Sequence, residues 1–477
     1  MRIIKNLVTY SVGDILSKGI LLMVSPILTR IFTLQQYGTI PLFMALWGII
    51  SVLQYGAMGV SYPIFMAQTN DVLERERIRI TGTIVALFAF FLVWISFFLI
   101  SMTTSYVINY VHTTRSELLF FLFGLIPTSV VCWGTYVFRF QHLALPYVRI
   151  TLINKVLSVL VAVPFLFLVP EKDRLVVFLI IVFLVNMLSI LWMIREFRLS
   201  KLDFISMSLF DGKLAKKMIS YGIRFIPSMI LYSGTASIDR ILVGYFASNV
   251  EVGILGLALQ LSAGVLMVKS WFSLVWDAHL IEWIATKDPK VYMPKLRHTL
   301  TLVTLSFFSL VLLSKLWSQH VVDILYPESY QEIGDFIPLI ALSGAISVLT
   351  LIAVATAIIE NTPKYRIRIH SFAFVVNITA GIILIPRIGI EGAIYGTMLS
   401  ELAILVSWIV IGKYLLKNLQ ISWSISILVG LFTLLFISFY QLGSIINTLV
   451  DQLCLTVLLV AGVAFLVYKN KYYLLLK

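Results

Sequence analysis

Residues 80–102, ITGTIVALFAFFLVWISFFLISM, contain no charged side chain and decide the fold class. A helix needs about 20 mostly apolar residues to cross the hydrocarbon core of a bilayer. A second uncharged run, LVVFLIIVFLVNMLSILWMI, occupies residues 175–194. Both runs are apolar on every face, whereas the strands of membrane β-barrels alternate apolar and polar residues. The sequence therefore predicts membrane-spanning α-helices.

The composition of the whole chain agrees with this class. Of 477 residues, 60% are hydrophobic and 12% are charged, whereas a soluble domain is about half apolar and about a quarter charged. We predict an all-α polytopic membrane protein with about 14 transmembrane helices. The predicted spans are 10–31, 38–58, 80–102, 118–138, 150–169, 175–194, 219–240, 253–275, 299–317, 336–359, 368–386, 391–412, 424–442 and 452–468.

The distribution of Lys and Arg predicts the orientation. One alternating set of loops contains 26 of these residues and the other set contains 7. Cytoplasmic loops are the basic ones in membrane proteins, so both termini are expected in the cytoplasm and the number of helices is expected to be even. The net charge of +13 then reflects topology, and we expect no nucleic-acid partner.

The chain also repeats itself. Pro146-Tyr147 opens one predicted span and Pro363-Lys364-Tyr365 opens another, and Tyr37-Gly38 corresponds to Val252-Gly253. Thr29-Arg30 and Asp239-Arg240 each close the helix before these positions. They are offset by 210 residues, so a longer loop is expected after Arg240 than after Arg30. These landmarks predict two six-helix lobes in parallel orientation, an architecture of transporters. The predicted domains are 1–200, 201–415 and an added pair of helices in 416–477.

Three segments carry a resemblance to a known family. They are NLVTYSVGDILSKGILLMVSPILTRIFTLQQYGTI at 6–40, TASIDRILVGYF with VGILGLALQL at 235–261, and LIPRIGIEGAIYGTMLSE at 384–401. Through their order and spacing, the chain resembles the Wzx-type O-antigen and capsule repeat-unit flippases. These flippases belong to the multidrug/oligosaccharidyl-lipid/polysaccharide exporter superfamily. Many relatives carry a basic residue after the second helix, where this chain has Met66-Ala67-Gln68.

The resemblance implies a function and a location. The expected substrate is an undecaprenyl-diphosphate-linked oligosaccharide, moved by alternating access to the outer leaflet of the bacterial cytoplasmic (inner) membrane. The pathway would be lipopolysaccharide or capsule biosynthesis. The expected partners are this lipid-linked oligosaccharide, membrane lipids, and the polymerase and chain-length regulator of the same pathway.

Charged residues inside the predicted spans are the candidate site. Such groups are costly in lipid and usually face a cavity or a partner. We expect Lys18, Arg224 and Lys269 to be cavity cations that bind the diphosphate. Asp14, four residues before Lys18, and Glu401 are expected to balance charge or to couple transport to an ion. The alternative is pairing between helices or, for Lys269, extension of the side chain to the interface.

Three further charges lie at the outer ends of predicted helices: Arg30, Asp239 and Arg240. We expect them to anchor the helices at the interface or to form a salt bridge.

Sequence motifs for enzymatic chemistry are missing. The chain contains no G-x-x-x-x-G-K-[ST], H-E-x-x-H, C-x-x-C or G-x-S-x-G motif. We therefore expect a transporter without catalytic residues, metal or cofactor. Two alternatives remain: a multidrug/cation antiporter of the same superfamily, and a membrane-bound polysaccharide polymerase or ligase. Intramembrane cations argue against the first, and short outer loops argue against the second.

The charge bias predicts that reporter fusions at Lys201 and at Ser329 lie on opposite sides of the membrane, with Lys201 in the cytoplasm. Alkaline phosphatase and green fluorescent protein fusions measure this directly, because each is active on one side only. Fusions at both sites on the same side would contradict the predicted topology.

Overall fold

The computed structural model describes residues 2–55, 57–69, 71–103, 106–111, 113–200, 202, 204–285, 289–359, 363–415 and 457. These residues contain α-helices, short 3₁₀ turns and no strand. The helices are α1 (Arg2–Ile31), α2 (Leu34–Gln54), α3 (Met58–Gln68), α4 (Val72–Thr103), α5 (Tyr106–Val111), α6 (Arg115–Phe140), α7 (Ala144–Leu168), α8 (Arg174–Leu199), α9 (Gly212–Gly222), α10 (Ile226–Phe246), α11 (Asn249–Ala285), α12 (Pro289–Leu325), α13 (Ile333–Ile359), α14 (Pro363–Ile388) and α15 (Ile390–Leu415).

The predicted fold class, an all-α multi-pass membrane protein, is confirmed. Among the described residues, eight helices are long and apolar enough to cross a membrane. They include α2, α4, α6, α7 and α8, and most of α13, α14 and α15. The predicted spans 424–442 and 452–468 lie outside the described residues, apart from Val457. The total of 14 helices therefore stays a prediction.

The chain divides into two compact units, Met1–Gly256 and Leu257–Lys477. In the first unit, α1 packs on α7, α2 on α10, and α6 on α8. In the second unit, α13 packs on α12 and α15, and α14 packs on α15. The predicted lobes 1–200 and 201–415 were defined by the sequence repeat and not by contacts, so these two units do not test them. The lobes stay a prediction.

The predicted single span 219–240 is wrong, because the helix is broken there. Helix α9 ends at Gly222, a 3₁₀ turn covers Ile223–Phe225, and α10 begins at Ile226. Pro227 lies in the first turn of α10. Proline has no N–H to donate and its ring crowds the carbonyl of Ile223, four residues earlier, which removes an α-helical hydrogen bond where the 3₁₀ turn begins.

Helix α9 lies within a segment that the sequence analysis treated as a loop. Its first turn is capped by Asp211, whose carboxylate accepts hydrogen bonds from the backbone N–H groups of Lys213 and Leu214. These bonds, led by that from Leu214, lower the pKa of Asp211. Ala215 and Met218 are buried while the lysines of α9 are not, so α9 is amphipathic and packs on α3 and α4.

The junction between α1 and α2 is repeated between α10 and α11. Helices α1 and α10 end at Ile31 and Phe246, which are 215 residues apart. Thr33 caps α2 by accepting a hydrogen bond from the N–H of Gln36, and Ser248 accepts one from Glu251. Each junction is two residues long, so the expected longer loop does not exist.

This register corrects one assignment made from the sequence. With an offset of 215 instead of 210, Arg240 does not correspond to Arg30. The residue that corresponds to Lys18 is Ser233, whose hydroxyl donates to the carbonyl of Gly48. A similar offset relates α8 to α15. Each of these helices has 26 residues, and their first residues are 216 positions apart.

Two glycines that occupy corresponding positions meet at the start of α2 and α11. Gly38 and Gly253 are each the fifth residue of their helix. A Cβ atom on Gly253 would lie 3.0 Å from the Cα of Gly38, and one on Gly38 would overlap the Asn249 carbonyl oxygen. Only glycine lets the two backbones approach this closely, as small residues do in many membrane interfaces.

We predict that Gly38→Ala lowers the melting temperature of the purified protein in detergent. The added methyl group must separate two backbones, and overpacking of this kind costs about 1–3 kcal/mol. Gly19→Ala is the matched control, because a Cβ there meets nothing within 4 Å. Thermal unfolding followed by size-exclusion chromatography checks both variants, and equal melting temperatures would contradict the close contact.

Candidate functional site

The first unit contains a cavity of about 390 Å³ between α2, α6 and α7, called here the α2–α6–α7 cavity. Its volume lies in the range of small-molecule sites. Aromatic rings and hydroxyl groups form most of its wall. The lining residues are Trp47, Ser51, Tyr55, Thr128, Ser129, Cys132, Thr135, Tyr136, Arg139 and Tyr147.

Helical spacing explains why these residues share one cavity. Trp47, Ser51 and Tyr55 follow one another at intervals of four along α2, so they occupy one face of that helix. On α6 the lining residues recur every three or four positions between Thr128 and Arg139. Lipid cannot satisfy hydroxyl groups, and the two polar stripes accordingly face each other within the protein.

The aromatic walls are held in place from behind. The Tyr136 hydroxyl donates to the carbonyl of Gly59 at 2.5 Å. The ring of Trp133 is fully buried, stacks on Tyr136 with a centroid distance of 5.4 Å, and donates to Thr83 at 3.0 Å. Trp133 also contacts Tyr55 at 5.2 Å. Rings supported in this way present fixed faces to the cavity.

The charge of the cavity is positive. Arg139 lies at its edge, near the end of α6, and its side chain is exposed. Lys155 of α7 interacts electrostatically with Cys132, which lines the cavity. The described lining residues include no carboxylate. The site therefore favours anionic or neutral polar ligands and disfavours cations.

A buried hydroxyl also lies in the wall of the cavity. Ser129 is 1% exposed, and its side-chain oxygen has no hydrogen-bond partner among the described residues. Buried polar groups in proteins are nearly always paired, with protein, water or ligand. The Ser129 oxygen itself lies beneath the cavity surface, so Ser129 belongs to the wall and does not present an accessible hydroxyl to a ligand.

The predicted site residues of the first unit lie apart from this cavity. Lys18 is half-buried in the middle of α1, and the side chain of Asp14 lies outside the described residues. Arg224 lies in the 3₁₀ turn before α10 and is exposed.

The outer helix-end charges form local bonds. Arg30 donates from Nη1 to the Pro26 carbonyl at 3.1 Å. Arg240 donates from Nη2 to the Ala236 carbonyl at 2.8 Å, and its Nε lies 3.7 Å from the Asp239 carboxylate. Asp239 is buried, and this pair is one of the two outcomes that the sequence analysis expected.

In the second unit the structure joins two residues to which different roles were assigned. Lys269 of α11 donates from Nζ to the hydroxyl of Ser347 on α13 at 2.5 Å. Lys269 also interacts electrostatically with Glu401 on α15. The predicted substrate cation and the predicted coupling carboxylate are therefore parts of one polar group that connects three helices.

The α2–α6–α7 cavity was not predicted, because Arg139 and Lys155 flank the short junction between two apolar spans and resemble the basic residues of a cytoplasmic loop. Helix α7 begins at Ala144, so Lys155 lies about 16 Å along the helix axis. A usable signal was present in the sequence. Thr128, Ser129 and Thr135 interrupt an apolar span at helical spacing.

The fold corresponds to that of known membrane transporters. No protein-family model and no curated protein matches the sequence. An inward-facing MATE-family multidrug resistance transporter of the MOP superfamily aligns with a TM-score of 0.65 and 14% identity, covering 86% of this chain and 96% of that chain. The lipid II flippase MurJ, in an inward closed conformation, aligns at 0.63 with 13% identity, covering 97% and 99%.

A MATE transporter of Vibrio cholerae, VcmN, gives a TM-score of 0.61 at 12% identity and covers 88% of this chain and 97% of that chain. Identities this low show the fold alone. The chain therefore has the fold that these MATE transporters and the MurJ flippase share.

The polar group of the second unit leads to a prediction. Lys269→Met or Glu401→Gln alone should lower the amount of folded protein, because each leaves one charge without its counter-charge inside the membrane. The double variant should recover folded protein. Membrane expression and melting temperature measure this recovery. Additive losses in the double variant would show that the two side chains do not depend on each other.

Proposed function

We propose that the protein is a flippase for undecaprenyl-diphosphate-linked oligosaccharide repeat units of O-antigen, capsule or a related polysaccharide. It moves them from the cytoplasmic to the outer leaflet of the bacterial cytoplasmic membrane by alternating access. Both termini lie in the cytoplasm. The polymerase and the chain-length regulator of the same pathway are its functional partners.

The observation that carries this proposal is the composition of the α2–α6–α7 cavity. Its wall combines aromatic rings, hydroxyl groups and Arg139, without a carboxylate among the described lining residues. Hydroxyl groups exchange hydrogen bonds with sugars, aromatic faces pack on the C–H side of a sugar ring, and a guanidinium binds phosphate. The combination suits a sugar attached to phosphate.

The same fold is compatible with a MATE-type cation antiporter, and the charges of the cavity favour the flippase over it. A lipophilic organic cation needs a carboxylate or an uncharged aromatic pocket. Arg139 and Lys155 oppose it, and Glu401, in the second unit, already interacts with Lys269. The charges therefore favour an anionic substrate over a cationic one.

Lys18 and Arg224 keep their proposed role as further contacts for the diphosphate. A diphosphate that leaves water needs compensating cations, because pairing strengthens as the dielectric constant falls. Arginine can bind phosphate through two parallel hydrogen bonds and lysine binds it as a point charge. Contacts shared among several cations also release the substrate more easily than a closed cage would.

The proposal predicts that the Lys18→Ala, Arg224→Ala double variant loses surface polysaccharide while membrane expression is unchanged. Arg224→Lys should retain part of the activity because its charge is kept, and Arg224→Glu should not. Complementation of a strain without its O-unit flippase measures surface glycan against protein level. Arg115→Ala, which removes a cation from the outer end of α6, is the control.

A transport assay separates the two candidate functions. Purified protein in liposomes should move a fluorescent polyprenyl-diphosphate glycan between leaflets and should not move ethidium against a proton or sodium gradient. The opposite result would reject the flippase and support the antiporter.

A further inference from the structure

We propose that the α2–α6–α7 cavity is the subsite for the glycosyl diphosphate end of the substrate. In this arrangement one sugar ring packs against Trp47 and Tyr55, and a phosphate lies at Arg139. The inference rests on the proposed function and adds the place, the orientation and the residues that recognise the substrate.

The polar groups are ordered along the cavity. Arg139 lies at the end of α6 that is predicted to face the cytoplasm, and Thr128 lies about 16 Å deeper along the helix axis. Tyr55 follows the last residue of α2, and its hydroxyl reaches the Ser129 carbonyl at 3.4 Å, so its ring lies in the inner part of the cavity. Trp47 lies about two turns earlier on α2. The diphosphate of a lipid-linked sugar remains at the membrane interface, so it meets Arg139 while the attached sugar extends inward.

The inner part of the cavity provides what a sugar ring requires. A pyranose has one face of C–H groups and a rim of hydroxyl groups. Ring faces of Trp47 and Tyr55 carry negative charge density that attracts C–H groups. The Ser51 hydroxyl donates to the Gly48 carbonyl at 2.9 Å, and its oxygen can accept a hydrogen bond from the sugar rim.

The outer part of the cavity favours phosphate in particular. The Arg139 guanidinium is exposed and lies 5.9 Å from the centroid of the Phe140 ring, which limits its mobility. Lys155 adds a second positive charge from α7 near Cys132. A phosphate could also come from an anionic membrane lipid, which lacks the sugar. The chemistry at Arg139 is the same for both sources, so the aromatic part of the cavity must separate them.

Cys132 offers a direct report of occupancy, since its side chain is exposed and lines the cavity. The chain has two cysteines, Cys132 and Cys454, so Cys454→Ser leaves Cys132 as the single thiol. The experiment measures the rate at which a maleimide modifies Cys132 in the purified full-length protein. A bound ligand that fills the cavity slows this reaction, about fivefold at four times its dissociation constant.

Four probes distinguish the possible occupants. They are a short-chain polyprenyl diphosphate that carries an N-acetylhexosamine, the same polyprenyl diphosphate without sugar, phosphatidylglycerol, and tetraphenylphosphonium. The glycosylated probe should protect Cys132 at the lowest concentration. Equal protection by the bare diphosphate or by phosphatidylglycerol would overturn the sugar subsite, and protection by tetraphenylphosphonium would overturn the anionic site.

Matched variants assign the two parts of the subsite. Trp47→Ala should raise the protecting concentration of the glycosylated probe at least tenfold and leave that of the bare diphosphate unchanged, while Trp47→Phe keeps most of the protection. Trp192→Ala, outside the cavity, is the control. Arg139→Ala should weaken protection by both diphosphates, whereas Arg115→Ala should not.

The transport assay tells a failure of the subsite from a failure of the function. Glycan movement in liposomes without protection of Cys132 would reject the subsite and leave the flippase proposal standing. Protection of Cys132 without glycan movement would reject the flippase proposal and leave the subsite standing, because the cavity would then bind a glycosyl diphosphate that the protein does not transport.

Discussion

Hydrocarbon cannot form hydrogen bonds, so a polar group inside the membrane must find its hydrogen-bond partner within the protein. The simplest solution is a bond to the helix itself. Hydroxyls of Ser17, Ser61 and Ser96 donate to the carbonyl four residues earlier, at 2.7, 2.9 and 2.8 Å. Arg30 and Arg240 do the same with their guanidinium groups. Such residues are satisfied locally and leave no unmet bond for a ligand.

Other groups are satisfied by a neighbouring helix, as Trp133 is by Thr83 and Tyr136 by Gly59. Lys269 bonds to another helix through Ser347, which ties α11 to α13. Ser129 has no partner among the described residues and lies in the wall of a cavity. Arg139 lies beside a cavity and not against a carboxylate. In a membrane, a polar side chain without a partner costs stability, and recognition of a polar substrate, as proposed above, would offset that cost.

The sequence predicted the helices well because length and hydropathy alone decide them. Spans 80–102 and 118–138 lie inside α4 and α6. Hydropathy does not report the local effect of Pro227, so it did not predict the break before α10. It also does not report the packing of the amphipathic helix α9 on α3 and α4. The register of the repeat was misread because Arg30 and Arg240 resemble each other chemically. The caps at Thr33 and Ser248, which place the two helix starts 215 residues apart, were the more reliable landmark.

The candidate site was harder to predict, because a cavity depends on which helix faces meet. Lys269 and Glu401 are 132 positions apart, and the sequence gives no indication that they interact. Arg139 lies one residue beyond the predicted span 118–138, and α6 extends to Phe140. Residue type does not distinguish Trp47, which lines the cavity, from Trp133, whose ring lies behind the wall and supports Tyr136.

One fold accommodates both the multidrug transporters and the lipid II flippase among the structural neighbours, so the fold alone does not decide the substrate of this chain. Two unit charges about 6 Å apart interact by about 3 kcal/mol at an effective dielectric constant of about 20. Arg139 is exposed, and solvent screening reduces such an energy to about 1 kcal/mol or less, which is roughly fivefold in affinity. An exposed arginine therefore biases the edge of the cavity towards anions, and the selectivity of the proposed site must come as well from the aromatic rings and hydroxyl groups of its wall.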